Sequence, residues 1–250
     1  MDLFHRRARS FGAHARHYAE HRANYPADGL RWAFGAASRP VHDVLDLAAG
    51  TGKITEGLLP LGFAVPAVEP DDDMLAELSR RFPQVKALTG TAESIPLPAG
   101  SVDAVLVGQA FHWFDKEKAL DEIGRVLRPG GAVGLVWNTE DESVEWVAGL
   151  REASRTSVGH IMSERFRTPE HPLFEPFEDS AFPHSFRRTI DSLAETIGTH
   201  SWLLVIPKEE REETLARIRS YLASRPETAG GEFDVPLLTR VMRAARRQSR

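Results

Sequence analysis

The sequence predicts an α/β protein with a doubly wound, mostly parallel sheet of seven strands and helices on both faces. Short apolar runs alternate with helical stretches over residues 41–138, and these runs lack the apolar/polar alternation of a sheet with one wet face. A chain of 250 residues with 42% hydrophobic content can bury one substantial core. We predict a single domain (1–250) with an N-terminal helical cap (1–38), a core (39–140) and a helical insertion before the last strand (191–228).

Seven stretches are rich in residues that favour strands. They are, in order, VHDVLDL (41–47), FAVPAVEP (63–70), VKALTG (85–90), VDAVLVG (102–108), AVGLVWN (132–138), SAFPHSFRRTI (180–190) and EFDVPLLTRVM (232–242). The first five alternate with helical patterns, which is typical of parallel strands joined by crossover helices. The last two flank an insertion that is long for a connection between strands.

Helical spacing predicts the connecting elements. The stretches are TGKITEGLLPLG (51–62), DDDMLAELSRRF (71–82), KEKALDEIGRVLRPGG (116–131) and KEEREETLARIRSYLASRP (208–226). Met74, Leu75 and Leu78 are spaced for one helical face. We expect Pro129 and the two glycines after it to end the third helix. The inward face of the last helix is predicted to be Leu215, Ile218 and Leu222.

Composition excludes several classes of function. The net charge of −5 gives no global attraction to nucleic acid or to an anionic membrane. With no cysteine, the chain cannot use thiolate zinc sites or a cysteine nucleophile. No apolar run approaches the length of a membrane span, so we expect a soluble, cytoplasmic protein. The basic C-terminus, RVMRAARRQSR, is expected to be the solvated end of the last strand rather than an RNA contact.

The stretch VLDLAAGTGKIT (44–55) joins the first strand to a glycine turn. A phosphate-binding P-loop needs a glycine five positions before its Gly-Lys pair and a hydroxyl residue after it, but those places hold Leu47 and Ile54. A dinucleotide fingerprint would need a third glycine where Thr55 stands. Lys53, which suggests phosphate at first sight, is then expected to be a solvated residue of the first helical turn.

S-adenosylmethionine fits the turn better, because it carries a sulfonium cation, an ammonium group and a ribose diol. Asp46 can supply negative charge, and Gly50 and Gly52 allow close approach to the backbone. Glu69 ends the second strand and can accept two hydrogen bonds from ribose hydroxyls. Both acids fall at the carboxyl ends of strands, where open α/β sheets bind ligands. The alternative is that Glu69 only caps the next helix.

Four motifs in order resemble the class I S-adenosylmethionine-dependent methyltransferases, in particular the methyltransferase type 11 group with enzymes similar to ubiquinone/menaquinone and trans-aconitate methyltransferases. The motifs are VLDLAAGTGKIT, AVEPDDDML, GTAESIPLPAGSVDAVLVGQAFHWFD and EIGRVLRPGGAVGLVWN. The resemblance covers about 100 residues, roughly 41–138, and implies a Rossmann-like fold in which 39–140 binds the cofactor.

The resemblance also implies a role for each matched residue. Those expected at the cofactor are Asp46, Ala48, Gly50, Gly52, Glu69, Pro70, Met74, Ala92, Glu93 and Gln109. The methionine end would lie along Asp46 to Gly52 and over Gln109, the ribose on Glu69, and the adenine against the others. Ala48 departs from the commoner glycine, and its methyl predicts a negative φ or a slightly wider turn.

Catalysis of methyl transfer can consist largely of positioning and desolvation, with a base only where the acceptor must lose a proton. His112 is the candidate base, because its ordinary pKa of about 6.5 suits proton removal near neutrality. The alternative is that the FHWF stretch packs against the cofactor, with Asp115 as a helix cap.

The acceptor pocket has six candidate residues. They are Tyr18, Arg22, Tyr25, Trp113, His200 and Trp202. The histidines at 14, 17 and 21 have helical spacing, but nothing completes a metal site, and no metal is expected. We therefore predict a methyltransferase acting on a small organic acceptor. The alternatives are an RNA or protein methyltransferase and a non-catalytic protein that binds S-adenosylmethionine or S-adenosylhomocysteine.

Overall fold

The computed structural model describes residues 19–158 and 168–248. Its strands are β1 (Val44–Leu47), β2 (Ala67–Glu69), β3 (Ala87–Thr89), β4 (Val102–Gly108), β5 (Leu127–Glu140), β6 (Glu178–Arg188) and β7 (Phe233–Ala245). Its α-helices are α1 (Ala27–Phe34), α2 (Lys53–Leu58), α3 (Asp72–Arg81), α4 (Lys116–Val126), α5 (Glu145–Ala153), α6 (Ile190–Gly198), α7 (Ser201–Leu204) and α8 (Lys208–Ala223). No helix in these two ranges is long and apolar enough to cross a membrane.

The strands form one sheet in the order β3-β2-β1-β4-β5-β7-β6. The pairs β2–β3, β1–β2, β1–β4 and β4–β5 are parallel. The strand order reverses between β1 and β4, and such a switch point opens a crevice at the carboxyl ends of the strands. The predicted fold class is confirmed, and the glycine turn that follows β1 lies at the switch point.

Local chemistry explains where the elements depart from their predicted bounds. β4 has the predicted bounds, whereas β2 is short because Pro66, just before it, has no N–H to donate to the ladder. As predicted, α4 ends just before Pro129, at Val126 with Leu127 as its C-cap. β5 begins at Leu127 rather than at the predicted Ala132, and its pairing with β4 shifts register between Val102 and Ala104, which leaves residues 128–131 as a bulge.

The chain divides into two compact units. Among the described residues, the larger unit comprises 24–138, 168–182 and 239–248, and the smaller unit comprises 19–23, 139–158 and 183–238. The larger unit buries strand residues of β1, β4 and β5 with the apolar faces of its helices. The smaller unit has its own core, which includes Trp146, Leu150, Leu193, Ile197, Leu203, Ile218, Leu222 and Val235. The predicted inward face of α8 is confirmed, since Ile218 and Leu222 are fully buried and Leu215 packs against them.

Candidate cofactor site

The turn after β1 has three residues in the left-handed region within five positions. The φ angles are +54° at Ala48, +55° at Gly50 and +85° at Gly52. The expectation of a negative φ at Ala48 is therefore wrong, because the tight turn imposes the same backbone on alanine that a glycine would adopt. A side chain in this region costs roughly 1–2 kcal/mol. The turn thus contains local strain at the point where the strand ends.

The two glycines serve different purposes. A Cβ on Gly52 would lie 2.8 Å from Cε2 of Phe82 and 3.2 Å from Cγ of Leu78, so packing as well as positive φ excludes a side chain there. A Cβ on Gly50 would meet no atom of the described residues within 4 Å. Gly52 is therefore required by the packing of α3, whereas the space beside the Cα of Gly50 is open to a ligand. A bound nucleoside would need that space.

Asp46 ties the end of β1 to the start of α2. Its side chain is 1% exposed, and Oδ2 accepts hydrogen bonds from the backbone N of Thr55 at 3.0 Å and from its Oγ1 at 2.7 Å. Burial raises the pKa of Asp46 to about 6, although both bonds act to lower it. The residue that interrupts the dinucleotide fingerprint, Thr55, therefore has a defined task. It holds a buried carboxylate beside the glycine turn.

Glu69 connects the end of β2 to the same turn. Its Oε2 accepts from the backbone N of Gly50 at 2.8 Å and its Oε1 accepts from the backbone N of Asp71 at 3.0 Å. Burial raises the pKa of Glu69 to about 7, opposed by these bonds and reinforced by the charges of Asp71 and Asp46. The N-cap of α3 is Asp71, whose side chain accepts from Asp73 N and Met74 N. Glu69 is therefore not the helix cap.

The other residues expected at the cofactor follow the neighbouring strands. Met74 and Ala92 are buried and Pro70 is exposed. Glu93 accepts from the backbone N of Asp115 at 2.9 Å, which fixes the turn after β3 to the start of α4. Gln109 has φ +59° and its Nε2 donates to the carbonyl of Asn138 at 3.0 Å. The ends of four adjacent parallel strands thus bring the predicted set to one edge of the sheet.

A polar network that the sequence analysis missed supports the turn from α2 and α3. The prediction that Lys53 is solvated is wrong, since its side chain is only 15% exposed and Nζ donates to Asn24 Oδ1 at 3.0 Å and Glu56 Oε2 at 3.2 Å. Arg81 pairs with Glu56 at 2.8 Å and donates to the carbonyl of Thr51 at 2.6 Å. The three-residue spacing of Lys53 and Glu56 indicates their ion pair in the sequence. No sequence pattern indicates the partners that come from other elements.

Tyr25 lies at the end of β4. A Cβ on Gly108 would be 2.8 Å from the Tyr25 hydroxyl, so this glycine makes room for the tyrosine. The neighbouring Asn24 is held by its carbonyl, which accepts from Asn138 Nδ2 at 3.1 Å, as well as by Lys53. The structure therefore brings one of the six acceptor-pocket candidates to the edge where the cofactor residues lie.

The remaining candidates are distributed over the chain. His112 and Trp113 are half-buried in a short 3-10 helix, Phe111–Trp113, and their ring centroids are 4.5 Å apart. In the smaller unit, Arg22 donates to the carbonyl of Thr199 at 3.2 Å. The ring centroids of His200 and Trp202 are 5.9 Å apart, and Trp202 is buried in the core of that unit. Tyr18 lies outside the described residues, as do the histidines at 14 and 17.

In the described ranges no three metal-ligating side chains come together.

Comparison with known proteins places this geometry in a family. A model of a methyltransferase domain matches residues 45–135, which hold β1 to β4 and the glycine turn. An uncharacterized methyltransferase of Mycobacterium tuberculosis (strain ATCC 25618 / H37Rv) is 41% identical over 236 residues, covering 94% of this chain and 95% of the relative. The chain belongs to the class I S-adenosylmethionine-dependent methyltransferases of the type 11 family.

Further relatives show that the similarity of this methyltransferase extends beyond residues 45–135. An uncharacterized methyltransferase-like protein of Schizosaccharomyces pombe (strain 972 / ATCC 24843) is 37% identical over 183 residues, or 70% of each chain. A solved structure from Anaeromyxobacter dehalogenans, provisionally assigned as a type II methyltransferase, has a TM-score of 0.67 at 26% identity and covers 90% of this chain and 97% of its own. The similarity therefore includes β6, β7 and the helices between them as well as the matched domain.

Proposed function

We propose that this methyltransferase uses S-adenosylmethionine and transfers its methyl group to a small organic acceptor. Two buried carboxylates carry the proposal, Asp46 at the end of β1 and Glu69 at the end of β2, on either side of a turn whose Gly50 is open. Buried acids with raised pKa values are costly to fold and cluster at sites that use them. A ligand with positive charge and hydroxyl donors would relieve that cost.

The residues of the larger unit fit such a cofactor. Glu69 would accept hydrogen bonds from the ribose hydroxyls, and Asp46 would place negative charge at the methionine end. Met74, Pro70 and the turn at Ala92 and Glu93 would hold the adenine, while Ala48 and Gln109 would line the methionine portion. When bound, the cofactor would supply a methyl group already activated by its sulfonium. The protein would then have to position the acceptor and exclude water.

His112 is the residue proposed to accept a proton when the acceptor must lose one. It follows Gln109 by three residues, in the short helix that comes directly after the end of β4. The alternative is that His112 and Trp113 only pack the site. A substitution that separates turnover from cofactor affinity decides between these roles.

The basic C-terminal segment gives no support to a nucleic-acid acceptor. Arg243 pairs with Glu178 at 2.9 Å, and Arg247 lies 3.6 Å from Glu175. Arg246 donates to the carbonyl of Leu127 at 3.0 Å. These cations are used within the fold, so phosphate contacts by this segment would need the existing pairs to break. A small acceptor is therefore the better proposal.

Calorimetric titration with S-adenosylmethionine tests the cofactor assignment. We expect a Kd on the order of micromolar for the wild type. Glu69→Ala removes a carboxylate that would accept two hydrogen bonds, which should cost about 2–4 kcal/mol, or roughly 30- to 1000-fold in Kd. Asp73→Ala is the matched control, because it removes an exposed acid from the first turn of α3 and should leave Kd within about twofold.

Two results would overturn the proposal. One is a wild-type Kd in Glu69→Ala, and the other is preferential binding of NADH or ATP. Incubation with methyl-labelled cofactor and a fractionated metabolite extract then tests turnover. Label in a small-molecule fraction supports the enzyme, whereas binding without label in any fraction favours a non-catalytic cofactor-binding protein.

A further inference from the structure

The connection between β3 and β4, residues 90–101, contains no helix and only a single bridge, between Thr91 and Ser94. It lies within the larger unit and carries Ala92 and Glu93, the residues proposed to meet the adenine. A segment without regular structure must find partners for its backbone N–H and C=O groups outside the usual ladders. In this protein α4 supplies several of them.

Two side chains near the C-terminal end of α4 bind the backbone of this connection. Glu122 Oε2 accepts from the backbone N of Ile95 at 2.9 Å. Arg125 donates from Nη2 to the carbonyl of Ile95 at 2.8 Å and from Nη1 to the carbonyl of Leu97 at 2.8 Å. Glu122 and Arg125 therefore form a clamp, the α4 clamp, which satisfies both backbone groups of Ile95 and the carbonyl of Leu97.

The clamp is itself held in one geometry. Arg125 Nε donates to Glu122 Oε1 at 2.6 Å and Nη2 donates to Oε2 at 2.7 Å, so the guanidinium meets the carboxylate through two bonds. The bonds from Arg125 hold the pKa of Glu122 below its usual range, with help from the N–H of Ile95, although burial acts to raise it. Glu122 is therefore ionised near neutrality. All three bonds to the connection involve a charged group, and such bonds are stronger than neutral ones.

Apolar contacts of the connection show what the clamp adds. The side chains of Ala92, Ile95 and Leu97 are buried in the same core cluster as the apolar face of α4. Apolar packing is non-directional, so it attaches the connection to the helix without fixing the direction of its peptide groups. The hydrogen bonds of the clamp fix that direction, close to Ala92 and Glu93.

An exposed pair with the same spacing shows what an ordinary surface ion pair looks like. Glu152 and Arg155, at the end of α5, are 59% and 72% exposed, and Nη2 of Arg155 is 2.9 Å from Oε1 of Glu152. Among the described residues, these two side chains hydrogen-bond only to each other. In the α4 clamp the exposed fractions are 22% for Glu122 and 36% for Arg125, and both side chains reach another segment.

We propose that Glu122 and Arg125 are positioning residues, which hold the connection in the conformation that recognises the adenine of the cofactor. The inference rests on the proposed methyltransferase function, in which Ala92 and Glu93 meet the adenine edge. When the conformation that binds a ligand is only partly populated, affinity falls by that fraction. Loss of the clamp should therefore weaken ligands that use the adenine edge and have little effect on those that do not.

Binding of two related nucleosides by the full-length protein tests the proposal. The probes are S-adenosylhomocysteine and S-inosylhomocysteine, in which a 6-oxo group replaces the 6-amino group of the base. We expect the wild type to prefer the adenine compound. Arg125→Met should weaken S-adenosylhomocysteine by roughly tenfold and S-inosylhomocysteine by no more than about twofold, so the preference for adenine should fall by about fivefold or more. Arg155→Met, which breaks the matched exposed pair, should change neither Kd.

Two further variants separate the clamp from a general stabilisation of α4. The double variant Glu122→Arg/Arg125→Glu keeps an ion pair at the same helical spacing, but it turns a donor toward the N–H of Ile95 and an acceptor toward the carbonyls. We expect it to lose affinity for S-adenosylhomocysteine as Arg125→Met does. Arg125→Lys keeps one charged donor without the planar fork, so its affinity should lie between those of the wild type and Arg125→Met. Wild-type affinity and selectivity in the double variant would assign the pair to helix stability and overturn the inference.

Selectivity also separates this inference from the proposed function. Equal weakening of both compounds in Arg125→Met would indicate a general loss of structure, and unchanged binding would show that the connection needs no clamp. Either result, or equal affinity of the wild type for the two compounds, would overturn the positioning role and leave the methyltransferase proposal intact. Failure of the wild type to bind S-adenosylhomocysteine at all would instead overturn the proposed cofactor and, with it, this inference.

Discussion

The raised pKa of Glu69 makes cofactor affinity depend on pH near neutrality. In the ligand-free protein the pKa of this buried carboxyl is about 7, mainly because of burial. Ribose hydroxyls donate hydrogen bonds, so they need the ionised form as their acceptor. Binding must therefore remove the proton from any molecule in which Glu69 is protonated. This requirement fixes the direction of the pH dependence, so cofactor affinity rises with pH until Glu69 is fully ionised.

The magnitude follows from the fraction of molecules that are competent to bind. For a pKa of about 7, roughly one molecule in ten is ionised at pH 6, about half at pH 7 and about nine in ten at pH 8. The apparent Kd is the intrinsic Kd divided by that fraction, so it should be about tenfold weaker at pH 6 than at pH 8. The pKa of Asp46 is about 6, so its protonation would steepen the fall below that pH.

Calorimetry in buffers of different ionisation enthalpy measures both consequences. We expect the tenfold change in Kd and release of close to one proton per cofactor bound at pH 6, falling toward zero at pH 8. Glu69→Gln has no proton to release at this position and should bind weakly, with a nearly flat profile above pH 7 and only the shallower fall that Asp46 gives near pH 6. Asp73→Asn, an exposed control, should follow the wild type. Tighter binding at pH 6, or an unchanged slope in Glu69→Gln, would refute the reasoning.

Three other substitutions test the turn and the chemistry. Ala48→Gly removes the Cβ from a residue with positive φ, and we expect a gain of about 0.5–1 kcal/mol in the free energy of unfolding. In the neighbouring control, Ala49→Gly, the free energy of unfolding should fall by a similar amount. Denaturant unfolding in which Ala48→Gly is the less stable of the two variants would exclude backbone strain at Ala48. Thr55→Val removes the 2.7 Å hydroxyl bond to Asp46 and should cost about 1.5–3 kcal/mol. Because that bond opposes the raised pKa of Asp46, whose contribution to stability is lost as pH rises through about 6, the cost should be larger at pH 8 than at pH 5. His112→Ala should lower turnover by roughly 100-fold or more while the cofactor Kd stays within about twofold, if it acts as a base. Parallel loss of turnover and affinity would assign His112 to packing.

Local spacing was enough to predict most of the sheet and the two acids of the candidate site. β4 is apolar apart from Asp103, and the runs that carry Asp46 and Glu69 near their carboxyl ends mark that edge of the sheet without knowledge of any contact. The bulge at residues 128–131 was not predictable in the same way. It arises from a register shift against β4, and a proline and two glycines look identical in a turn and in a bulge.

Residues that depend on distant partners were predicted least well. Lys53 has the sequence of an exposed first-turn residue, and only the folded chain brings Asn24 to its ammonium group. Arg188 shows the same limit, because the sequence shows two adjacent arginines, whereas among the described residues Arg187 forms ion pairs with Glu232 and Asp234 and Arg188 forms none. A pattern indicates the face on which a side chain lies. It does not indicate whether the charge on that face will be balanced.

The backbone strain at the site has a common origin in the parallel sheet. Among the described residues, Ala48 and Gln109 are the non-glycine residues with positive φ, and they follow the paired strands β1 and β4. Each conformation costs about 1–3 kcal/mol and persists only where surrounding bonds enforce it. Those bonds are present, since Asp46 holds Thr55 on one side and the side chain of Gln109 donates to the carbonyl of Asn138 on the other. Both strands therefore turn sharply just after a last ladder bond, which runs from Ala49 N to the carbonyl of Val68 for β1 and from Gln109 N to the carbonyl of Val136 for β4. The strain in these two turns lies at the switch point, where we propose that the cofactor binds.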